Sequence, residues 1–214
     1  MRKSIIVTMA AALTIVAGTL TAQDAADTDP APVASRSSLQ IVEFTPMTRS
    51  ERFRNYLTAT FGPQSLATSV ARAGLDQLRD SPREWGQGSA AFGDRLGNAY
   101  AKHIIRRTLE FGGTSALHQD DRYFRSGETG IWRRTKYAVA STFLARRDNG
   151  QRTFAYARIG SAAGAAYISR AWQPSSTTDM SHAASSFGFT VATDLGANVF
   201  REFWPDLKRR LHRR

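Results

Sequence analysis

The sequence predicts an all-α protein, a compact bundle of about five to seven helices with Gly/Ala-rich close-packed faces, following a signal peptide and a flexible tether. Three observations carry that prediction. Apolar residues recur at three- and four-residue intervals through several long segments. Strand-type alternation is almost absent. Glycine repeats every four residues inside the same segments, which gives a helix a face that a neighbour can approach closely.

The 214 residues suit a single domain, and three parts are expected: residues 1–22, 23–45 and 46–214. Met1, Arg2 and Lys3 precede a short apolar run that ends in small residues near Ala22, the pattern of a secretory signal peptide. No Cys follows it, so a lipoprotein anchor is excluded. Residues 23–38 are mostly Ala, Asp, Pro and Ser and bury too little to order themselves, hence a linker. A short strand is expected at residues 39–44.

The first helix begins after Thr48, which has capping-box spacing to Glu51, and carries Phe53, Tyr56, Leu57, Thr60 and Phe61 at helical intervals. Gly62 and Pro63 end it. The second runs from Pro63 to about Arg79, with Leu66, Val70, Ala73, Gly74 and Leu78 on one side, and Ser81-Pro82 closes it. Residues 89–111 give the most regular amphipathic helix. Phe92, Leu96, Tyr100 and Ile104 share a face with Gly93 and Gly97, while Asp94, Arg95, Asn98, Lys102 and Arg106 take the other. Gly112-Gly113 is expected to stop it.

A further helix spans Ile131 to about Arg146, ahead of a turn at Asp148-Asn149-Gly150. Residues 154–172 are small almost throughout, with Gly160 and Gly164 on the face of Tyr156 and Tyr167, and Pro174 ends them. The last long helix starts near Thr178 or Asp179 and reaches Phe203, striped by Gly188, Ala192 and Gly196. Trp204-Pro205-Asp206 then turns the chain into a short basic helix. Each helical glycine costs roughly 0.5–1 kcal/mol against alanine. Close helix approach is the expected compensation, and the same stripes offer a route to a homo-oligomer. The longest uncharged stretches, residues 159–169 and 180–193, fall short of the roughly 20 apolar residues a span needs.

Basic residues outnumber acidic ones by 29 to 18, and Arg supplies most of them. Such a surplus favours polyanionic partners: anionic lipid, an envelope polymer or an acidic protein surface. Nucleic acid fits poorly with an exported chain. The sharpest basic signals are Arg122 and Arg125 in the chain's centre and Lys208, Arg209, Arg210, Arg213 and Arg214 at its end. With no Cys, thiolate chemistry and disulfides are excluded. No HExxH, GxSxG or P-loop occurs, and no cofactor-binding signature is present.

Residues 117–125, LHQDDRYFR, hold the densest polar cluster. His118, Asp120 and Asp121 there are candidates for a metal site or for an acid and a base. Equally, Asp120 or Asp121 can pair with Arg122 or Arg125 and cap a turn as scaffolding. His103 sits at the edge of its helix's apolar face, and Asp194 and His182 lie in a helix with no other charge, so Arg158 or Arg170 is expected as a partner for Asp194. Trp85, Trp132, Trp172 and Trp204 fall near helix ends, where packing or a membrane interface places them.

The run HQDDRYFR resembles the HEDPRYFR-type segment of an uncharacterised family of exported bacterial proteins. The likeness extends to a Gly-rich helix before it, the RRDNG turn and the FREFWPDL segment, covering about residues 85–209. Gln119 and Asp121 depart from that pattern. The resemblance implies export and a shared fold. These readings lead to a non-catalytic protein of the periplasm or cell envelope, peripheral to the membrane, that binds an anionic surface or a protein partner through an Arg-rich face and its basic tail. The alternative is a metal-assisted hydrolase centred on His118, Asp120 and Asp121.

Overall fold

A computed structural model describes residues 44–212. Both the expected signal peptide and most of the expected linker and strand lie outside these residues, as do Arg213 and Arg214. From Thr45 onward the described chain belongs to one compact unit.

Six helices and a small sheet make up the fold, as the sequence predicts for its class. They are α1 (Arg49–Phe61), α2 (Pro63–Leu78), α3 (Ser89–Ala116), α4 (Ile131–Phe143), α5 (Tyr156–Ile168) and α6 (Met180–Leu211). Helix α3 packs along α2 and α5, and α6 packs on α4 and α5. The capping box is formed: Glu51 N–H donates to Thr48 Oγ1 at 3.3 Å, and Thr48 N–H donates to the Glu51 carboxylate at 2.8 Å. Gly62 joins α1 to α2, whose first residue is the proline. Asp179 caps α6 through His182 N–H.

Three boundaries differ from expectation, each for a physical reason. Helix α3 passes through Gly112-Gly113 to Ala116 because Gly113 lies against Ala157 of α5; a Cβ there would come within 3.0 Å of the Ala157 methyl. Helix α4 stops at Phe143 because residues on both sides of the Asp148-Asn149-Gly150 turn pair as a hairpin, β2 (Leu144–Arg147) with β3 (Arg152–Phe154). Strand β1 (Gln119–Asp120) pairs antiparallel with β2, Gln119 opposite Arg147. Helix α6 continues through Pro205 to Leu211. Proline removes the amide that would bond the Arg201 carbonyl. Arg134 of α4 bridges across the break by binding Glu202 and Asp206 together, and Phe200 packs on Trp204 with ring centres 5.1 Å apart.

The larger correction concerns which face of each helix turns inward. The fully buried apolar residues among those described are all alanines, such as Ala73, Ala99, Ala138 and Ala165. The largest buried side chains are polar: Arg95, Gln119, Glu202, Thr60 and Thr142. On α1, Arg52 and Thr60 are buried while Phe53, Leu57 and Phe61 are exposed. On α2, Ser65, Ser69 and Ala73 are buried, whereas Leu66 and Val70 are exposed and Leu78 is 85% exposed. Arg95, expected on the outer face of α3, is wholly buried. The helical period is as predicted; on α1 and α2 its polarity is reversed, while on α3 Phe92, Leu96, Tyr100 and Ile104 are half-buried.

The glycine stripes share in that reversal. Among the described residues only Gly113 and Gly164 are closely approached by another helix, a Cβ added at Gly164 lying 2.9 Å from Leu109. At Gly93, Gly97, Gly160, Gly188 and Gly196 an added Cβ meets nothing within 4 Å among the described residues. Most of the stripes therefore face outward. No helix among the described residues is long and apolar enough to cross a membrane.

Candidate functional site

The buried polar faces border an open, solvent-accessible cavity of about 660 Å³ between α1, α2, α3, α5 and α6, with the connector after β1 along one side. Six arginines line it, Arg52, Arg106, Arg107, Arg122, Arg158 and Arg201, against three carboxyl groups, Glu110, Asp121 and Asp194. Tyr56 and Phe111 form an aromatic wall, their rings stacked at 4.8 Å.

Helix α3 supplies more of the charge than any other element because its buried face runs through Ala99, Glu110 and Thr114, with Arg106 and Arg107 between them. Arg107 donates to Glu110 at 3.1 Å, and Arg158 of α5 approaches the same carboxylate at 3.8 Å. Arg158 also donates to the carbonyls of Ser141 and Thr142, at 2.9 and 3.2 Å, and to that of Asp121. Arg106 pairs with Asp194 of α6, so the charge expected to find Arg158 or Arg170 is met from α3. Arg201 of α6 makes no hydrogen bond or ion pair among the described residues. Its side chain is exposed along the cleft, and partial desolvation at the cleft wall together with the like charges of Arg107 and Arg158 draws it below the ordinary arginine value. The Nε atoms of Arg106 and Arg107 are buried without a hydrogen-bond partner.

Desolvation raises Asp121 above the ordinary aspartate range, and the neighbouring Glu110 carboxylate adds to this against the opposing pull of Arg158 and Arg107. His103 lies on the wall, where burial holds it below its usual value, and its Nε2 is 2.9 Å from the Ala59 carbonyl. Chemically, the chamber is a positively biased, partly desolvated space furnished with guanidinium forks, the donor geometry that matches carboxylates and phosphates.

The residues singled out from the sequence are dispersed. His118 is exposed, in a left-handed backbone conformation (φ 51°), and its Nδ1 lies 3.2 Å from Asp148. Asp120 is fully buried and held by Arg122, whose Nη2 donates to it at 2.6 Å and whose Nε donates at 3.0 Å. Asp121 alone of the three reaches the cavity. The trio does not converge, and no group of three or more His, Asp or Glu able to hold a metal occurs among the described residues. The scaffolding role considered for Asp120 and Arg122 is realised.

Arg125 is exposed, as are Lys208, Arg209 and Arg210. Here the fold adds something the sequence did not reveal. Arg134 ties the start of α4 to the last part of α6 through Glu202 and Asp206. One corner of the molecule therefore presents Ile131 and Trp132, 76% and 69% exposed, together with exposed Leu207 and Leu211. Arg133, Lys136, Lys208, Arg209 and Arg210 are exposed on the same two segments. The Lys136 ammonium lies 5.1 Å from the centre of the Trp132 ring.

The charged cavity residues that sequence reasoning missed are Arg52, Arg107, Glu110 and Arg201. The spacing of Arg107 and Glu110, three apart on one helix, was a signal for the pair; nothing marked Arg52 or Arg201. No family model, curated protein or solved structure matches the chain.

Proposed function

We propose that this protein is a non-catalytic component of the cell envelope that binds peripherally to an anionic membrane surface through the corner formed by the start of α4 and the end of α6. The single observation behind this reading is the exposure of Ile131, Trp132, Leu207 and Leu211 on two joined segments that also expose five basic residues. Apolar side chains flanked by cations suit the boundary between acyl chains and anionic headgroups. Exposed Trp132 fits the interfacial role rather than helix-end packing. The signal-like N-terminus and the resemblance to exported proteins support placing it in the periplasm. Exposed apolar stripes on α1 and α2 add to the surface that favours lipid over water.

Sedimentation with vesicles tests the proposal. The full chain should bind phosphatidylglycerol-containing vesicles well above phosphatidylcholine vesicles, and binding should weaken as salt screens the headgroups. Replacing Ile131 and Trp132 by Ser should weaken it at least about tenfold, since each large apolar side chain withdrawn from water contributes roughly 1.5–3 kcal/mol. Equal binding to neutral vesicles, or an unaffected double variant, contradicts the proposal.

A further inference from the structure

We propose that the interhelical cavity is a binding site for an organic phosphomonoester, seated on Arg201 and Arg107 beside the positive charge of Arg158 and extending over the Tyr56–Phe111 wall. The inference stands apart from the membrane-binding corner and rests on three observations.

First, the charge in the chamber is unbalanced. Arg106 has Asp194, Arg52 has Asp148 and Arg122 has Asp120, each with one carboxylate. Arg107 and Arg158 divide Glu110 between them, and Arg201 has no partner among the described residues. Asp121 is the one further carboxyl group on the wall, so six guanidinium groups face five carboxyl groups and the cleft keeps a positive surplus centred on Arg201. A compact anion matches that surplus.

Second, the unmatched cation is crowded by like charge and open to a ligand. Arg201 is exposed on the cleft wall and makes no pair among the described residues, and the guanidinium groups of Arg107 and Arg158 act on it from nearby. A phosphate can accept two parallel N–H bonds from a guanidinium fork, so an anion seated there relieves the repulsion.

Third, about 660 Å³ falls within the range of small-molecule sites and far exceeds what a bare phosphate fills. Its unfilled part borders the stacked Tyr56 and Phe111 rings, which suit an apolar or ring-bearing remainder. The phosphomonoester can therefore belong to a soluble metabolite or to a lipid such as phosphatidic acid.

Isothermal titration of the purified full chain distinguishes these cases, using inorganic phosphate, glycerol 3-phosphate, succinate and short-chain phosphatidic acid as probes. Binding of at least one organic phosphomonoester at one per chain, at least about tenfold tighter than succinate, is expected. Arg201→Gln should weaken it about tenfold or more, as loss of a charge-assisted pair does, with the circular dichroism spectrum unchanged. Arg201→Lys, which keeps the charge without the fork, should recover only part. A preference for glycerol 3-phosphate assigns a soluble ligand, and a preference for phosphatidic acid assigns a lipid headgroup. No binding of any phosphate probe, succinate binding as tight as phosphate, or Arg201→Gln binding as tightly as the parent overturns the proposal. Because Arg201 lies outside the basic corner, Arg201→Gln should leave binding to phosphatidylglycerol vesicles unchanged, so the two proposals fail separately.

Discussion

Arg95 illustrates how single side chains replace a conventional core here. Wholly buried, it donates to the carbonyls of Ser81, Pro82 and Gly86 and to the side chains of Gln77 and Asp80, gathering the chain between α2 and α3 around one guanidinium. Glu202 does the same for the other half. It accepts from Tyr123 at 2.7 Å, Ser126 at 2.5 Å and Arg134 at 3.0 Å while only 2% exposed. Burial alone would raise its pKa, but hydrogen bonds from Ser126, Tyr123 and Arg134 outweigh burial and hold the carboxyl below the ordinary glutamate value. The folded state thus favours the charged form, so the stability it gives is full above the unfolded-state pKa of about 4.3 and is lost as pH falls through the lower folded value. Urea titrations across acidic pH should show that loss, and Glu202→Gln should flatten it while costing about 2–4 kcal/mol at neutral pH. An equally steep acid limb in the variant would assign the loss to other carboxylates.

At the scale of helices, glycine has two opposite roles that sequence spacing does not separate. Gly113 is where α3 and α5 touch, and a methyl there lies 3.0 Å from the Ala157 Cβ and 3.2 Å from its Cα, so backbone must move. Gly188 on α6 meets nothing among the described residues. Gly113→Ala should therefore lower stability by about 1–3 kcal/mol, and Gly188→Ala should raise it by roughly 0.5–1 kcal/mol, both read from the denaturation midpoint. The same ambiguity explains what was legible beforehand. Caps and stops are local chemistry, so Thr48 with Glu51, Gly62-Pro63 and Asp179 marked helix ends correctly. Periodicity also located the stripes of Phe53, Leu57 and Phe61 and of Leu66, Val70 and Leu78. It carries no sign, however, and the assumption that apolar stripes point inward failed because here the Ala, Ser and paired Arg stripes do so. The basic corner needed Arg134 to join segments about 70 residues apart, a contact no local pattern encodes. The cavity needed the same kind of long-range pairing, Arg106 with Asp194.

Among the described residues the fully buried apolar side chains are all alanines, which hide little hydrocarbon each. Heat capacity changes on unfolding follow newly wetted apolar area, so calorimetry of the full chain should give a value per residue below the usual roughly 12–15 cal/mol/K. A value at or above that range would mean that the large side chains exposed here are covered in solution, by self-association or by lipid carried through purification. The alanine interior has one more consequence, for how its energetics can be explored. Truncation, the customary probe, has no purchase on residues such as Ala73, Ala138 and Ala162, which already carry the smallest side chain to have a Cβ. A scan that replaces each residue by alanine would leave the packed heart of the protein silent and return its signal from guanidinium and hydroxyl groups. Only enlargement, methyl to isopropyl, would sound out that interior.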